Sequence, residues 1–384
     1  MKVLVGLSGG VDSAIAAYEL KKQGLDVKCC FMRNWDSALN NDTLGNSTLN
    51  NDICPQEQDY NDAKSVADAL GLELLRKDYI KEYWDNVFKF FVDEYKKGRT
   101  PNPDILCNKY IKFDCFLDFA MEQGFDMIAT GHYIKAVDGP IRRYYKASDL
   151  NKDQSYFLAQ VSKKALDKCL FPLGDIDKPR VRELAEELNL SIAKKKDSTG
   201  ICFIGERDFR KFLSNYIPMK PGKIIDIDTL EEIGDHNGVY YYTVGQRKGF
   251  GVGGNRGPYF CVGKNIEHNL LYLTSIKNEH YLYSNSAYIS GINWINDLPV
   301  EASEIGCKFR YRQPDNKVTI KKISDTEAML YYPQKIKAVA PGQEAVFYLN
   351  DEMLGGGTID KVFINGQDVN EYLDSLVFKK WKKQ

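Results

Sequence analysis

Residues 3–13 read Val-Leu-Val-Gly-Leu-Ser-Gly-Gly-Val-Asp-Ser, and no other segment constrains the fold as tightly. The apolar run Val3-Leu4-Val5 suits a strand buried on both faces. Ser8-Gly9-Gly10 makes a tight turn, and Asp12-Ser13 open a stretch of helix formers that runs to Lys22. Strand, glycine turn and helix in that order aim backbone N–H groups at an anion, and the glycines let the chain approach phosphate closely. There is no G-x-x-x-x-G-K-[ST], so this is not the Walker phosphate loop. The plainer alternative is an ordinary strand–turn–helix connection.

The rest of the first half continues the pattern. Val27 to Met32 reads as a second strand, Asn61 to Leu70 as a helix closed by Gly71, and Leu72 to Leu75 as a third strand. Met127 to Thr130 is another strand, ending at Gly131-His132. This order predicts an α/β fold with a doubly wound parallel sheet, whose ligands lie beyond the carboxyl ends of the strands. Asp36 to Asp52 reads as a flexible surface loop, and Pro179 to Asn189 as a helix with proline in its first turn. After about residue 208 glycines, tyrosines and short alternating runs take over, and from about Tyr281 the chain reads as all-β. The expected domains are 1–208, 209–280 and 281–384, with Lys379 to Lys383 as a solvated basic tail.

Composition narrows the function. The net charge is −1, so a nucleic-acid surface would have to be a local patch. Nine cysteines, an odd number without a CxxC pair, exclude a disulfide framework and a cysteine-rich zinc site. Reduced thiols suit a cytoplasmic location. The chain shows no signal-peptide pattern and no apolar stretch of membrane-spanning length. The four histidines, His132, His236, His268 and His280, lack metal-ligand spacing, so no metal site is expected.

Two cysteines are candidate nucleophiles. Cys107 follows Thr100-Pro101-Asn102-Pro103-Asp104, and Leu106, Tyr110, Phe113, Leu117 and Ala120 recur at helical spacing. With Asp104 as N-cap, the thiol would sit in the first helical turn, where the dipole favours the thiolate. Its competing reading is a small buried core residue. Cys202 follows Lys194-Lys195-Lys196-Asp197, cations that would depress a thiol pKa or meet phosphate. Its competing reading is a strand-core residue in Ile201-Cys202-Phe203-Ile204. In Cys307-Lys308-Phe309-Arg310-Tyr311-Arg312 the three cations alternate onto one face of a strand, a row suited to an RNA backbone or to plain solvent. Gly249 to Gly254 mimics a dinucleotide fingerprint but neither follows a clear strand nor opens a helix.

The Ser8–Ser13 loop resembles the pyrophosphate loop of the ATP pyrophosphatases. Together with Phe31–Trp35, Gly98–Lys109, Thr130–Tyr133, Asn151–Leu158, Lys194–Gly205, Thr243–Gly249, Tyr311–Gln313, Pro341–Gln343 and Leu354–Gly357, it resembles the bacterial tRNA-specific 2-thiouridylases. That resemblance implies a nucleotide α-hydrolase-like domain, a small central domain and a C-terminal β-barrel. It implies that Gly6, Leu7, Ser8, Gly9, Gly10, Val11, Asp12, Ser13, Met32 and Gly131 hold ATP, carried with Mg2+. Asn102, Pro103 and Asp104 would meet the flipped base, and His132, Lys152, Asp153, Gln154, Arg310, Tyr311 and Gln343 the tRNA. Cys107 would be the nucleophile, Cys202 the persulfide carrier, and Asp104 a proton shuttle. The partners implied are the tRNAs for Lys, Glu and Gln and a sulfur donor, either a relay protein or a cysteine desulfurase. The alternatives are another adenylating enzyme with this loop and a non-catalytic tRNA-binding protein. The Asn-rich segment from Asp36 is longer than the resemblance leads one to expect.

Overall fold

Val3, Leu4 and Val5 are completely buried because β1 (Lys2–Gly6) is the middle strand of a five-stranded parallel sheet. A computed structural model describes residues 1–44, 46, 55–197, 208–253, 258–296 and 304–382. Around β1 lie β2 (Asp26–Arg33), β3 (Leu74–Asp78), β4 (Met127–Ala129) and β7 (Cys169–Leu170), in the order β3-β2-β1-β4-β7. Helices α1 (Val11–Lys22) and α2 (Pro55–Leu70) link β1 to β2 and β2 to β3. Alternation along β1 sorts its side chains between two cores. Val3 and Val5 share a cluster with Ala14, Ile15 and Ala17 of α1. Leu4 joins the opposite one, with Ile105, Cys107 and Phe116. The expected strands and helices are present, with α2 beginning earlier than periodicity alone placed it and the third strand displaced from Leu72–Leu75 to Leu74–Asp78.

Between β4 and β7 a hairpin leaves the parallel sheet. Its strands, β5 (Ile134–Val137) and β6 (Arg143–Lys146), pair with each other, and Tyr145 pairs with Glu352 of the C-terminal sheet. The central region forms a four-stranded sheet from β8 (Gly222–Asp226), β9 (Glu231–His236), β10 (Tyr259–Asn265) and β11 (Leu270–Ser275). Gly249 to Gly253 carries no helix or strand.

The C-terminal strands are β12 (Tyr283–Trp294), β13 (Glu304–Lys308), β14 (Asn316–Lys322), β15 (Ala328–Lys337), β16 (Glu344–Leu349) and β17 (Glu352–Ile364). They run β12-β15-β14-β13-β16-β17, and antiparallel pairing of β12 with β17 closes them into a six-stranded barrel. Closure leaves neither end strand as a bare edge. No helix among the described residues is long and apolar enough to cross a membrane.

Three local expectations are corrected. The described part of the Asn-rich segment is folded onto the body. Asp42 is fully buried and accepts from Trp35 Nε1 at 3.2 Å, and Asn46 Nδ2 donates to Ser37 Oγ at 3.1 Å. It is a loop, as its polar residues predicted, but one held in place by internal bonds and by Asn215 and Tyr216. The start of the Lys-rich end is helical, within Val369–Trp381, and Lys380 donates to the carbonyls of Thr229 and Leu230 at 3.1 Å. Strand β13 stops at Lys308, so the three cations do not form one strand face. Lys308 reaches Asp153 at 3.5 Å, and Arg310 donates to the Val244 carbonyl at 2.7 Å. Arg312 is the exposed member.

Candidate active site

The glycine turn lies at the carboxyl end of β1, and Gly131-His132 at that of its neighbour β4. Here the strand order reverses, the place where open α/β sheets bind ligands. Ser13 fastens the turn. Its Oγ accepts from Ser8 N at 3.1 Å and donates to the Gly10 carbonyl at 3.0 Å. Gly10 is the N-cap of α1 and has no side chain to satisfy the first-turn N–H groups. The backbone is packed so closely that it demands glycine. Gly9 has φ +74°, and a Cβ there would overlap the Asp59 carbonyl oxygen of α2. A Cβ on Gly131 would lie 2.8 Å from Asp12 C and Ser13 N. On Gly6 it would lie 2.9 Å from Met32 Cε, the flexible tip of a side chain, which could shift aside. Gly6, Met32 and Gly131 are thus brought to the turn from three adjacent strands or their ends, and the residues present fit the phosphates of a nucleotide.

Cations from later in the chain close on this turn. Asp12 Oδ1 accepts from Tyr133 Oη at 2.7 Å and from Lys178 Nζ at 2.6 Å. Lys178 also pairs with Asp197 at 2.8 Å, and Asp197 further binds Lys152 at 2.7 Å and Arg182 at 2.6 Å. Burial alone would raise the Asp197 carboxyl, but its bonds from Lys152 and Lys178 hold it down at about 2. Lys195 Nζ donates to the Gly9 carbonyl at 3.2 Å and pairs with Asp59 and Asp62. Of the Lys194–Lys196 run, Lys195 is the member whose ammonium reaches the loop. Tyr133 and Asp197 fall within segments that carry the family resemblance, but no role attaches to them or to Lys178 from sequence alone. Lys178 follows the N-cap Asp177 and so reads only as a helix start.

The candidate nucleophile sits on the other face of the sheet. Pro103–Cys107 is a helix capped by Asn102, whose Oδ1 accepts from Asp104 N at 3.1 Å. The cap is therefore Asn102 rather than Asp104. Pro103 falls at the first helical position, where its missing N–H costs nothing. Cys107 is then the fifth helical residue, just past the first turn, and is 3% exposed. The helix continues through a π-helical stretch, Asn108–Cys115, a distortion frequent at functional sites.

The barrel holds this helix in place. Thr100 N donates to the Pro341 carbonyl at 2.9 Å, and Gln343 Nε2 donates back to the Thr100 carbonyl at 2.6 Å. Arg99 pairs with Asp360 at 2.5 Å. Asn108 Nδ2 donates to the Phe157 carbonyl at 3.0 Å, and the Phe157 ring packs 4.4 Å from that of Tyr311. The 151–154 turn is bonded inward too. Asp153, 2% exposed, accepts from Ala147 N and Ser155 N, and Gln154 Oε1 accepts from Tyr133 N at 3.0 Å. His132 is buried against Thr130 Oγ1 at 2.8 Å and kept neutral by burial and by Lys112. Cys202 lies outside the described residues. Cys29, Cys30, Cys169, Cys261 and Cys307 are buried core thiols.

The fold is a parallel α/β sheet whose glycine turn suits phosphate, joined through a central sheet to a β-barrel. A family model for the tRNA methyl transferase HUP domain matches residues 1–206, its PRC-barrel domain 210–275, and an aminomethyltransferase β-barrel domain 284–359. The tRNA-specific 2-thiouridylase MnmA of Mycoplasma capricolum subsp. capricolum is 55% identical over 370 residues, covering 94% of this chain and 99% of the relative. That of Mesoplasma florum shows the same identity and coverage, and that of Mesomycoplasma hyopneumoniae is 50% identical over 375 residues, covering 97% and 100%. The chain belongs to the tRNA-specific 2-thiouridylase family and is a tRNA sulfurtransferase that uses ATP.

Proposed function

We propose that the chain thiolates C2 of the wobble uridine in the tRNAs for Lys, Glu and Gln by activating the base with ATP. The observation that carries this reading is the Ser8–Ser13 turn, pinned by Ser13 and roofed by Gly131. Such a turn suits a phosphate chain. The uracil C2 oxygen is a poor leaving group. Transfer of AMP to it expels pyrophosphate and makes it a good one. Residues Gly6–Ser13, Met32 and Gly131 hold the nucleotide, and Asp12 is the carboxylate at hand for its Mg2+.

Asn102, Pro103 and Asp104 receive the base, which must leave the anticodon stack at a cost of a few kcal/mol. Asp104 moves the proton. The terminal sulfur of a Cys202 persulfide attacks C2, and AMP departs with the former C2 oxygen. Cys107 thiolate then attacks Cys202 Sγ, freeing the thiocarbonyl and leaving a Cys107–Cys202 disulfide that a thiol reductant must open. The burial of Cys107 supports the exclusion of water, which would otherwise return the adenylate to uridine.

Lys152, Asp153, Gln154, His132, Arg310, Tyr311 and Gln343 serve tRNA. Lys152 and Tyr311 do so by contact. Asp153, Gln154 and Gln343 do so by shaping the surface, since their bonds run inward. The three expected domains, 1–208, 209–280 and 281–384, divide nucleotide, connecting and RNA work. The sulfur arrives from a relay protein or a desulfurase, in the cytoplasm, where the nine thiols stay reduced. The test is pyrophosphate release from ATP by the purified enzyme. Substrate tRNA should stimulate it, as neither a small-molecule adenylating enzyme nor a non-catalytic binder would show.

A further inference from the structure

Six residues form a closed circuit of bonds between the pyrophosphate loop and the 151–154 turn. Asp12 accepts from Tyr133 Oη; Tyr133 and Gln154 exchange bonds, Tyr133 N to Gln154 Oε1 and Gln154 N to the Tyr133 carbonyl. Two residues before Gln154, Lys152 Nζ pairs with Asp197 Oδ2. Asp197 Oδ1 meets Lys178 Nζ, and Lys178 returns to Asp12. We propose that Asp197 is a positioning residue through which tRNA seated at Lys152 controls the readiness of Asp12 for the nucleotide. The proposal rests on the reading of Lys152 as a tRNA contact and Asp12 as a nucleotide contact.

The burial of the lysines sets the direction. The Lys178 side chain is 9% exposed, so its ammonium has no bulk water to fall back on and must keep carboxylate partners. It divides itself between Asp12 and Asp197. The Lys152 side chain is 37% exposed and within reach of an RNA phosphate. A phosphate that takes Lys152 removes a cation from Asp197. Asp197 then draws harder on Lys178, and Asp12 is released toward the nucleotide's cation. The backbone route through Gln154 and Tyr133 ends on the same carboxylate oxygen. Arg182 stays on Asp197 throughout, so the carboxylate is never left bare. The consequence is that ATP is engaged in earnest only when an acceptor base is present, which spares it from futile hydrolysis.

Coupling of this kind is reciprocal, so it can be measured from either side. The experiment titrates full-length enzyme with α,β-methylene-ATP and Mg2+, with and without unmodified substrate tRNA. It then titrates tRNA with and without the analogue. In the wild type each ligand should tighten the other by one common factor, about fivefold or more. In Asp197→Asn and in Lys152→Met that factor should fall to about one while both ligands still bind. A purely structural role for Asp197 would weaken both ligands and leave the factor unchanged. An unchanged factor in the variants, or a wild-type factor of one, overturns the proposal. If Asp197→Asn does not fold, Lys152→Met, altered at the more exposed lysine, decides alone. A wild type that binds no analogue and releases no pyrophosphate would instead bring down the underlying reading, and this inference with it.

Discussion

In the proposed mechanism Cys107 and Cys202 carry two different duties. Cys107 lies in a helix of known cap and burial, whereas the role of Cys202 rests on the family resemblance. Cys202→Ser has no sulfur to hold the transferable atom, so labelled sulfur should fail to load there. Cys107→Ser should load normally and stall before product release. Mass spectrometry of non-reduced digests, after one turnover with loaded enzyme, should find the Cys107–Cys202 disulfide in the wild type alone. Thiolated product with both thiols intact would remove the disulfide step. Asp197 yields a prediction in pH. Its folded-state pKa of about 2 lies below the unfolded carboxylate value of about 3.9. Its stabilisation is therefore present above the unfolded value and lost as pH falls through the folded one. Asp197→Asn should be less stable than wild type near neutral pH, with the gap closing between about pH 4 and about pH 2. The carboxylate is about a third exposed, so solvent screens part of the gain. Urea midpoints at several pH values would measure it, and a gap independent of pH would show that the ion pairs contribute nothing.

Among the elements, the barrel turn Pro341–Gln343 matters most, because it grips the segment 99–102 that leads into the Cys107 helix. Gly342 has φ +91°, and a Cβ there would stand 2.6 Å from Thr100 N. Gly366 has a similar φ of +80° but open space around it. Gly342→Ala should cost about 1–3 kcal/mol and slow thiolation, while Gly366→Ala should show backbone strain alone and leave turnover near wild type. Thermal unfolding and single-turnover rates distinguish them, and equal effects would mean the turn does not hold the helix. The same contrast explains what the sequence makes legible. The pyrophosphate loop is local: strand, turn and helix follow one another between Lys2 and Lys22, and their chemistry is written in order. The Cys107 helix is nearly so, missed by two residues at its cap because Pro103 and Asp104 both suit a helix start. The grip of Gln343 on Thr100 spans 243 residues, and the pairing of Lys178 with Asp12 spans 166. Neither leaves a periodic trace. The alternation from Cys307 to Arg312 misled for the opposite reason. It is a true strand pattern as far as Lys308, after which the chain turns and Arg310 finds the Val244 carbonyl.

At the scale of the whole molecule, the division of labour follows from where the sheet and barrel meet. The hairpin β5–β6 leaves the nucleotide-binding half and joins the barrel's sheet, while the barrel returns Gln343 and Tyr311 to the nucleophile's helix and its support. The two halves are therefore braced in both directions, which suits a reaction joining an ATP bound on one to an RNA bound across both. The central claim is that the C2 oxygen itself is adenylated and leaves with AMP. The direct measurement uses substrate tRNA carrying 18O at C2 of the target uridine, with ATP, Mg2+ and persulfide-loaded enzyme in a single turnover. The account predicts one pyrophosphate and one AMP per 2-thiouridine formed, with the 18O recovered in the phosphate of AMP. Thiolated tRNA accompanied by AMP of natural isotopic mass, with the label released to water, would contradict it.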